Sequence, residues 1–222
     1  MSADRDPELP ERLLLSERDA LVPLLRAAPE ADFARPTACP DWDVREVLAH
    51  CSAALVRIVE GRLEPGVFSD ASNAADVAER ADWSPAQVVG ELERAMTEAG
   101  PVIAGLTHGL LDTVALGEWV HAGDVRDAWG LPGAYADASG GDALALLTVA
   151  ARTRRDTPLV RVTLSDSSAE PFPLGNPREG RPPAALCTDT PTLFRLYADR
   201  PLPDPAAYAL SGATKEELHL YA

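Results

Sequence analysis

Hydrophobic residues recur at helical spacing in several segments of the first 130 residues. The first segment, residues 11–28, carries leucines along one side and contains Pro23. The second begins with Asp43 as N-cap and Glu46 at the third helical position, an aspartate version of the capping box. The leucines of the first stripe are Leu14, Leu21, Leu24 and Leu25, and the inward residues of the second are Val44, Val47, Leu48, Cys51, Leu55 and Ile58.

Two further helices follow a polar stretch, residues 60–82, for which we predict a loop with at most a short helix. Ser84 and Gln87 form a second capping box with Pro85 at the first helical position, and this helix reaches Pro101 or beyond. The last helix covers residues 110–129 and ends at the Gly/Pro-rich segment 130–133. Four such segments predict a four-helix bundle. The inward residues of the third helix are Val88, Leu92, Ala95 and Ala99.

Beyond Pro132 the pattern changes to short alternating stretches mixed with helices. The predicted fold class is therefore an N-terminal all-α four-helix bundle, residues 1–135, followed by a small α+β domain, residues 136–222. The elements predicted in the second part are a helix at 142–154, strands at 159–164, 172–174 and 185–187, a helix at 191–198 capped by Thr190, and a last strand at 218–221.

The formal net charge of −15 disfavours nucleic acid and anionic membrane surfaces as partners, because both would be repelled. No apolar run approaches the length of a membrane span, and the acidic N-terminus resembles neither a signal peptide nor a transit peptide. We therefore expect a cytoplasmic protein. Cys39, Cys51 and Cys187 are widely spaced and form no CxxC pair, so neither a disulfide framework nor a thiolate zinc knuckle is indicated.

The chemistry is concentrated on the fourth helix. Its apolar stripe contains Glu118 and His121, three residues apart, and groups of this kind in a core must be hydrogen-bonded, paired with each other or metal-bound. His50, at the edge of the second helix's stripe, could complete a metal site with an open position, as in catalytic zinc centres. The alternative is an ordinary core histidine, and His108 and His219 are expected to be ordinary. The stripe is formed by Leu111, Val114, Val125 and Trp129, and the exposed face is expected to carry Trp119 and Arg126.

Residues 37–50, TACPDWDVREVLAH, resemble the signature T-x-C-P-x-W-x-V-x-D-V-x-x-H of the mycothiol-dependent maleylpyruvate isomerase family. Residues 120–128, VHAGDVRDA, resemble its second signature, V-H-x-x-D-x-x-x-A. That family belongs to the DinB-like superfamily of four-helix bundles. The C-terminal half is similar, through residues 193–203, to the sterol-carrier-protein-like domain that often follows such a bundle.

The resemblance implies a divalent metal, zinc or nickel, held by His50, Glu118 and His121, with Asp124 as a partner outside the ligand set. In the family the glutamate stands four residues before the histidine, where this chain has Gly117. Glu118 stands three before, on the same side of the helix. Beyond the metal site, no catalytic residue is assigned.

The resemblance further implies a metal-dependent isomerase or S-transferase that uses mycothiol, a low-molecular-weight thiol, as co-substrate for a small electrophilic substrate. One alternative is a non-catalytic small-molecule-binding protein of the same fold. A second is a stress-response protein that acts through partner contacts at Trp119 and Arg126. We expect a monomer or a homodimer.

Overall fold

The computed structural model describes residues 5–40, 42–106, 109, 111–153 and 156–220. The chain divides into two units, Met1–Pro132 and Gly133–Ala222. The first unit is helical and the second is α+β. Among the described helices, none combines the length and the apolar character needed to cross a membrane.

The first unit is built on four long helices that pack in a ring. Helices α1 and α2 each contact both α4 and α5, and the short helix α3 packs against α2. This arrangement confirms the four predicted helices, and α3 is the short helix allowed for in the polar stretch. The elements are α1 (Leu9–Ala27), a 3₁₀ helix (Glu30–Ala34), α2 (Val44–Val59), α3 (Asp70–Glu79), α4 (Pro85–Gly105) and α5 (Asp112–Ala128).

Local signals set the starts of α2 and α4. Asp43 accepts a hydrogen bond from the Glu46 amide at 2.8 Å, and Glu46 accepts one from the Asp43 amide at 2.9 Å. Ser84 and Gln87 form the equivalent reciprocal pair at α4. Both predicted capping boxes are confirmed, and the predicted inward residues of α2 and α4 are buried.

Helix α1 departs from its predicted stripe at one position. Leu24 is 40% exposed, whereas Leu14, Leu21 and Leu25 are buried. Leu21 and Leu25 are four residues apart and share a face, but Leu24 is turned about 100° from Leu25. The inward face is therefore displaced away from Leu24, and it also includes Leu13 and Val22.

Helix α5 is buried on nearly all sides, which corrects the expected exposed face. Trp119 is 1% exposed and Arg126 is 6% exposed. Arg126 is accommodated because its Nη2 atom donates to Glu17 Oε1 of α1 at 2.6 Å. The predicted stripe is only partly buried, because Leu111, Val114 and Trp129 retain intermediate exposure. Neither Trp119 nor Arg126 is thus available for the partner contacts considered above.

The second unit contains a four-stranded sheet with the strand order β2-β1-β3-β4. The central strands β1 and β3 run parallel, and β2 and β4 pair antiparallel at the edges. In β1 alternate residues are buried, as the sequence pattern predicts. The elements are α6 (Gly140–Thr153), β1 (Val160–Leu164), β2 (Phe172–Leu174), β3 (Ala184–Thr188), α7 (Thr190–Tyr197), β4 (Tyr208–Ser211) and a 3₁₀ helix (Glu216–Leu218).

Two predictions for this unit are wrong. The last strand is Tyr208–Ser211, whereas Leu218 ends a 3₁₀ helix; Tyr221 lies outside the described residues. As an edge strand, β4 pairs only with β3 and alternates between half-buried and exposed positions, so its hydrophobic pattern is weak. Helix α7 is capped by Asp189, whose carboxylate accepts the Thr192 amide at 2.8 Å, and not by Thr190.

Candidate metal centre

Helices α2 and α5 bring His50 and His121 together. Their ring centroids are 5.2 Å apart, with the rings at 83° to one another. The Trp42 ring lies against His50 at a centroid distance of 4.9 Å. Both histidines are half-buried, so part of each side chain remains exposed to solvent.

The His121 ring is held from its own helix. Its Nδ1 atom lies 3.0 Å from Oδ2 of Asp124, one turn further along α5. Asp124 is fully buried. A buried carboxylate on one ring nitrogen orients the imidazole and directs the lone pair of the other nitrogen outward, as behind many metal-bound histidines.

Glu118 lies deeper than the histidines and contacts Cys51. It is 3% exposed, and burial raises the pKa of its carboxyl group to about 8, although a hydrogen bond with Cys51 acts in the opposite direction. Burial, followed by the Glu118 charge, raises the pKa of the Cys51 thiol well above its ordinary value. Among the described residues, the buried Oε2 atom of Glu118 has no hydrogen-bond partner.

The tightest group of potential ligands includes a residue that the sequence reasoning did not nominate. Single donor atoms of Cys39, His121 and Asp124 all lie within 4.8 Å of one another. Over the described residues, His50 and Glu118 do not join a group this close. Cys39 stands in the T-x-C-P segment of the first motif. Its position within the motif was the available signal.

These donors fit a divalent cation. Cys39, His121 and Asp124 form one close group, His50 lies beside His121, and Glu118, on the same helix as His121, is buried against Cys51. A carboxylate buried with an unsatisfied oxygen is costly unless a proton or a cation compensates it. The set therefore suits a borderline-soft ion such as zinc or nickel better than magnesium or calcium.

The remaining histidines are His108 and His219. His108 lies outside the described residues. His219 belongs to the second unit, where its Nε2 atom lies 3.2 Å from Asp199 Oδ1.

Two cavities on the first unit lie away from the histidines. One, of about 320 Å³, is lined by Phe33, Val89 and neighbouring residues, and the other, of about 470 Å³, by Asp43, Arg45 and Trp83 among others. None of the candidate ligands lines either cavity. Neither cavity therefore identifies a substrate.

The fold and part of the sequence are similar to those of known proteins. Two solved structures match 95% of this chain and 95% of their own, at 13% identity, with TM-scores of 0.56 and 0.57. They are the mycothiol-dependent maleylpyruvate isomerase and a histidine-to-alanine mutant of it. At this identity the likeness establishes a shared fold. No curated protein sequence matches the chain. The mycothiol maleylpyruvate isomerase N-terminal domain family matches residues 14–130. The chain therefore belongs to the mycothiol maleylpyruvate isomerase N-terminal domain family.

Proposed function

We propose that this protein is a metal-dependent enzyme that uses a mycothiol-type thiol to isomerise or S-conjugate a small electrophilic substrate. The observation that carries the proposal is the pairing of His50 with His121, with Asp124 behind the second imidazole. Family membership and the names of the related structures support a thiol co-substrate. In the reaction the thiolate adds to one carbon of an electron-poor carbon–carbon double bond, whose π electron pair shifts onto the conjugated electron-withdrawing group. Protonation then gives an S-conjugate, whereas rotation about the new single bond and expulsion of the thiolate restore the double bond in an isomer.

The proposed metal-binding residues are His50, Glu118 and His121, and the proposed ion is zinc or nickel. Such an ion stabilises a thiolate over a thiol and so supplies a nucleophile at neutral pH. Asp124 accepts a hydrogen bond from the Nδ1–H group of His121 and so keeps the ring in one tautomer and orientation. Trp42 covers one side of His50 and limits the access of water.

The chain's own Cys51 is not the proposed nucleophile. Its thiol is buried, and burial beside Glu118 raises its pKa, so it stays protonated at neutral pH. The nucleophile that we propose is instead an external thiol. We place the reaction in the cytoplasm, where low-molecular-weight thiols stay reduced, and we assign residues 136–222 as a sterol-carrier-like domain of a monomer or homodimer.

Elemental analysis of the purified protein tests the metal site. We expect close to one zinc or nickel ion per chain in the wild type, and loss of the ion in His50→Ala, His121→Ala and Glu118→Ala. His219→Ala, in the second unit, is the matched control and should retain it. A wild-type protein with no metal, and none acquired on titration with zinc or nickel, would falsify the proposal.

A second candidate function is non-catalytic binding of a small molecule by the same fold. The engagement of Glu118 by Cys51 favours it, because a glutamate occupied in the core is not available as a ligand. Under this alternative, His50→Ala and His121→Ala leave ligand binding intact. Loss of the metal together with loss of all binding argues for the enzyme instead.

A further inference from the structure

We infer that Cys39 is a direct ligand of the divalent cation, through a thiolate that stands beside His121. This inference rests on the proposed function, because it concerns the same metal centre. It goes further by giving that centre a sulfur donor and by naming the residue that provides it.

The spacing of the donor atoms supports this assignment. Zinc binds sulfur at about 2.3 Å and nitrogen or oxygen at about 2.0 Å, so neighbouring donors in a tetrahedral site stand roughly 3.3–3.8 Å apart. The donor atoms of Cys39, His121 and Asp124 already lie within 4.8 Å of one another. Asp124 stays behind His121, outside the ligand set, so shifts of about an ångström or less would bring the Cys39 sulfur and a His121 nitrogen to the separation of neighbouring ligands.

The backbone of Cys39 is held in place on both sides. The Thr37 hydroxyl accepts a hydrogen bond from the Cys39 amide at 3.1 Å and donates one to the Trp42 carbonyl oxygen at 3.0 Å. A bridge pairs Pro36 with Asp43, the N-cap of α2. The thiol is therefore presented by an ordered turn at the entrance to α2.

The position of Glu118 leaves room in the ligand set for such a donor. The residue four before His121 is Gly117, which has no side chain to offer. Glu118 is buried against Cys51, and no group as close as that of Cys39, His121 and Asp124 includes Glu118 among the described residues. Cys39 reaches His121 from a different element, so it can complete the site without any change in α5.

A thiolate ligand changes what the centre binds. The Cys39 thiol releases its proton to solvent when the metal–sulfur bond forms, so metal binding is coupled to the loss of one proton. Thiolates favour zinc, cobalt and other thiophilic ions over magnesium and calcium. The sulfur also gives a cobalt-loaded centre a charge-transfer absorption that nitrogen and oxygen ligands cannot produce.

Cobalt(II) titration of the full-length protein is the test, followed by near-ultraviolet absorption. We expect one cobalt ion per chain and a sulfur-to-cobalt charge-transfer band. The band should disappear in Cys39→Ser. Zinc affinity should also fall by more than about tenfold, because loss of a residue that merely contacts a metal ligand already lowers affinity by about 10–100-fold. Cys51→Ser and Cys187→Ser are matched controls, one buried and one exposed, and both should retain the band.

The outcomes separate this inference from the proposed function. Stoichiometric cobalt binding without a sulfur band overturns the role of Cys39 and leaves the metal site standing, whereas failure to bind either cobalt or zinc overturns both. Because Cys39→Ser could misfold, the wild type provides a second measurement. Zinc should protect Cys39 from alkylation by iodoacetamide while exposed Cys187 stays reactive; equal labelling of Cys39 with and without zinc overturns the inference.

Discussion

The Nδ1 atom of His121 lies 3.0 Å from the Oδ2 atom of Asp124, and the two residues stand one turn apart on α5. Asp124 is fully buried, whereas 14% of the His121 side chain is exposed to solvent. The pair thus directs one ring nitrogen into the core and leaves the other for the solvent side. Both residues belong to the segment 120–128 that resembles the second sequence motif.

Asp124→Asn should lower zinc affinity by about 10–100-fold, because the amide keeps the shape but loses the charge that orients and polarises the imidazole. Isothermal titration with zinc measures this. Asp127→Asn, three residues further on the same helix, is the control and should bind zinc like the wild type. Unchanged affinity in Asp124→Asn would show that the carboxylate has a structural role alone.

Glu118 makes the stability of the metal-free protein depend on pH. Burial raises the pKa of its carboxyl group from an ordinary value of 4.5 to about 8. Between pH 4.5 and about pH 8, Glu118 in the folded state holds a proton that the unfolded chain releases. The free energy of unfolding therefore falls as the pH rises from about 4.5 to 8. One pKa unit corresponds to about 1.4 kcal/mol, so the loss can reach several kcal/mol.

Urea unfolding of the metal-free wild type and of Glu118→Gln at a series of pH values measures this dependence. The glutamine variant should lose most of the decline, because it carries no titrating group at this position. Glu98→Gln changes an exposed glutamate on α4 and should follow the wild type. Identical pH profiles for wild type and Glu118→Gln would contradict the raised pKa.

The buried pair between Arg126 on α5 and Glu17 on α1 should be sensitive to removal of one partner. Arg126→Ala takes away the guanidinium that donates to Glu17 Oε1 at 2.6 Å. A buried charge that loses its partner costs about 3–5 kcal/mol. Thermal and urea unfolding should show this loss. Arg94→Ala, which removes an exposed pair with Glu98, should cost less than about 1 kcal/mol.

The two capping boxes provide a matched pair of variants. Asp43→Ala and Ser84→Ala should each destabilise the protein by about 1 kcal/mol, since each removes the acceptor for an amide at a helix start. Asp43 caps α2, the helix that carries His50, whereas Ser84 caps α4, which carries none of the candidate ligands. We therefore expect Asp43→Ala alone to weaken zinc binding as well; equal zinc affinity in the two variants would show that the start of α2 does not position the metal centre.

Much of the helical architecture could be predicted because its signals are local. Capping boxes, proline at the first helical position and a repeat near 3.6 residues act within one or two turns, and they place α2 and α4 closely. The strand β1 is readable for the same reason, since its alternation follows from the pleat of a half-buried sheet. The edge strand β4 alternates only between half-buried and exposed positions, so its hydrophobic pattern is too weak to predict it.

The sequence by itself determined the long helices of the first unit, the strand β1 of the second and the two histidines of the candidate centre, whereas the parallel pairing of β1 with β3 emerged only in the tertiary structure. Only the tertiary structure decided that α5 is enclosed, because burial of Trp119 and Arg126 depends on α1 and α2 and not on the periodicity of α5. It also decided that Cys39 lies close to His121, which stands 82 residues later in the sequence, and that Glu118 contacts Cys51. Spacing along a helix fixes the direction of a side chain, whereas its contacts depend on which element packs against it.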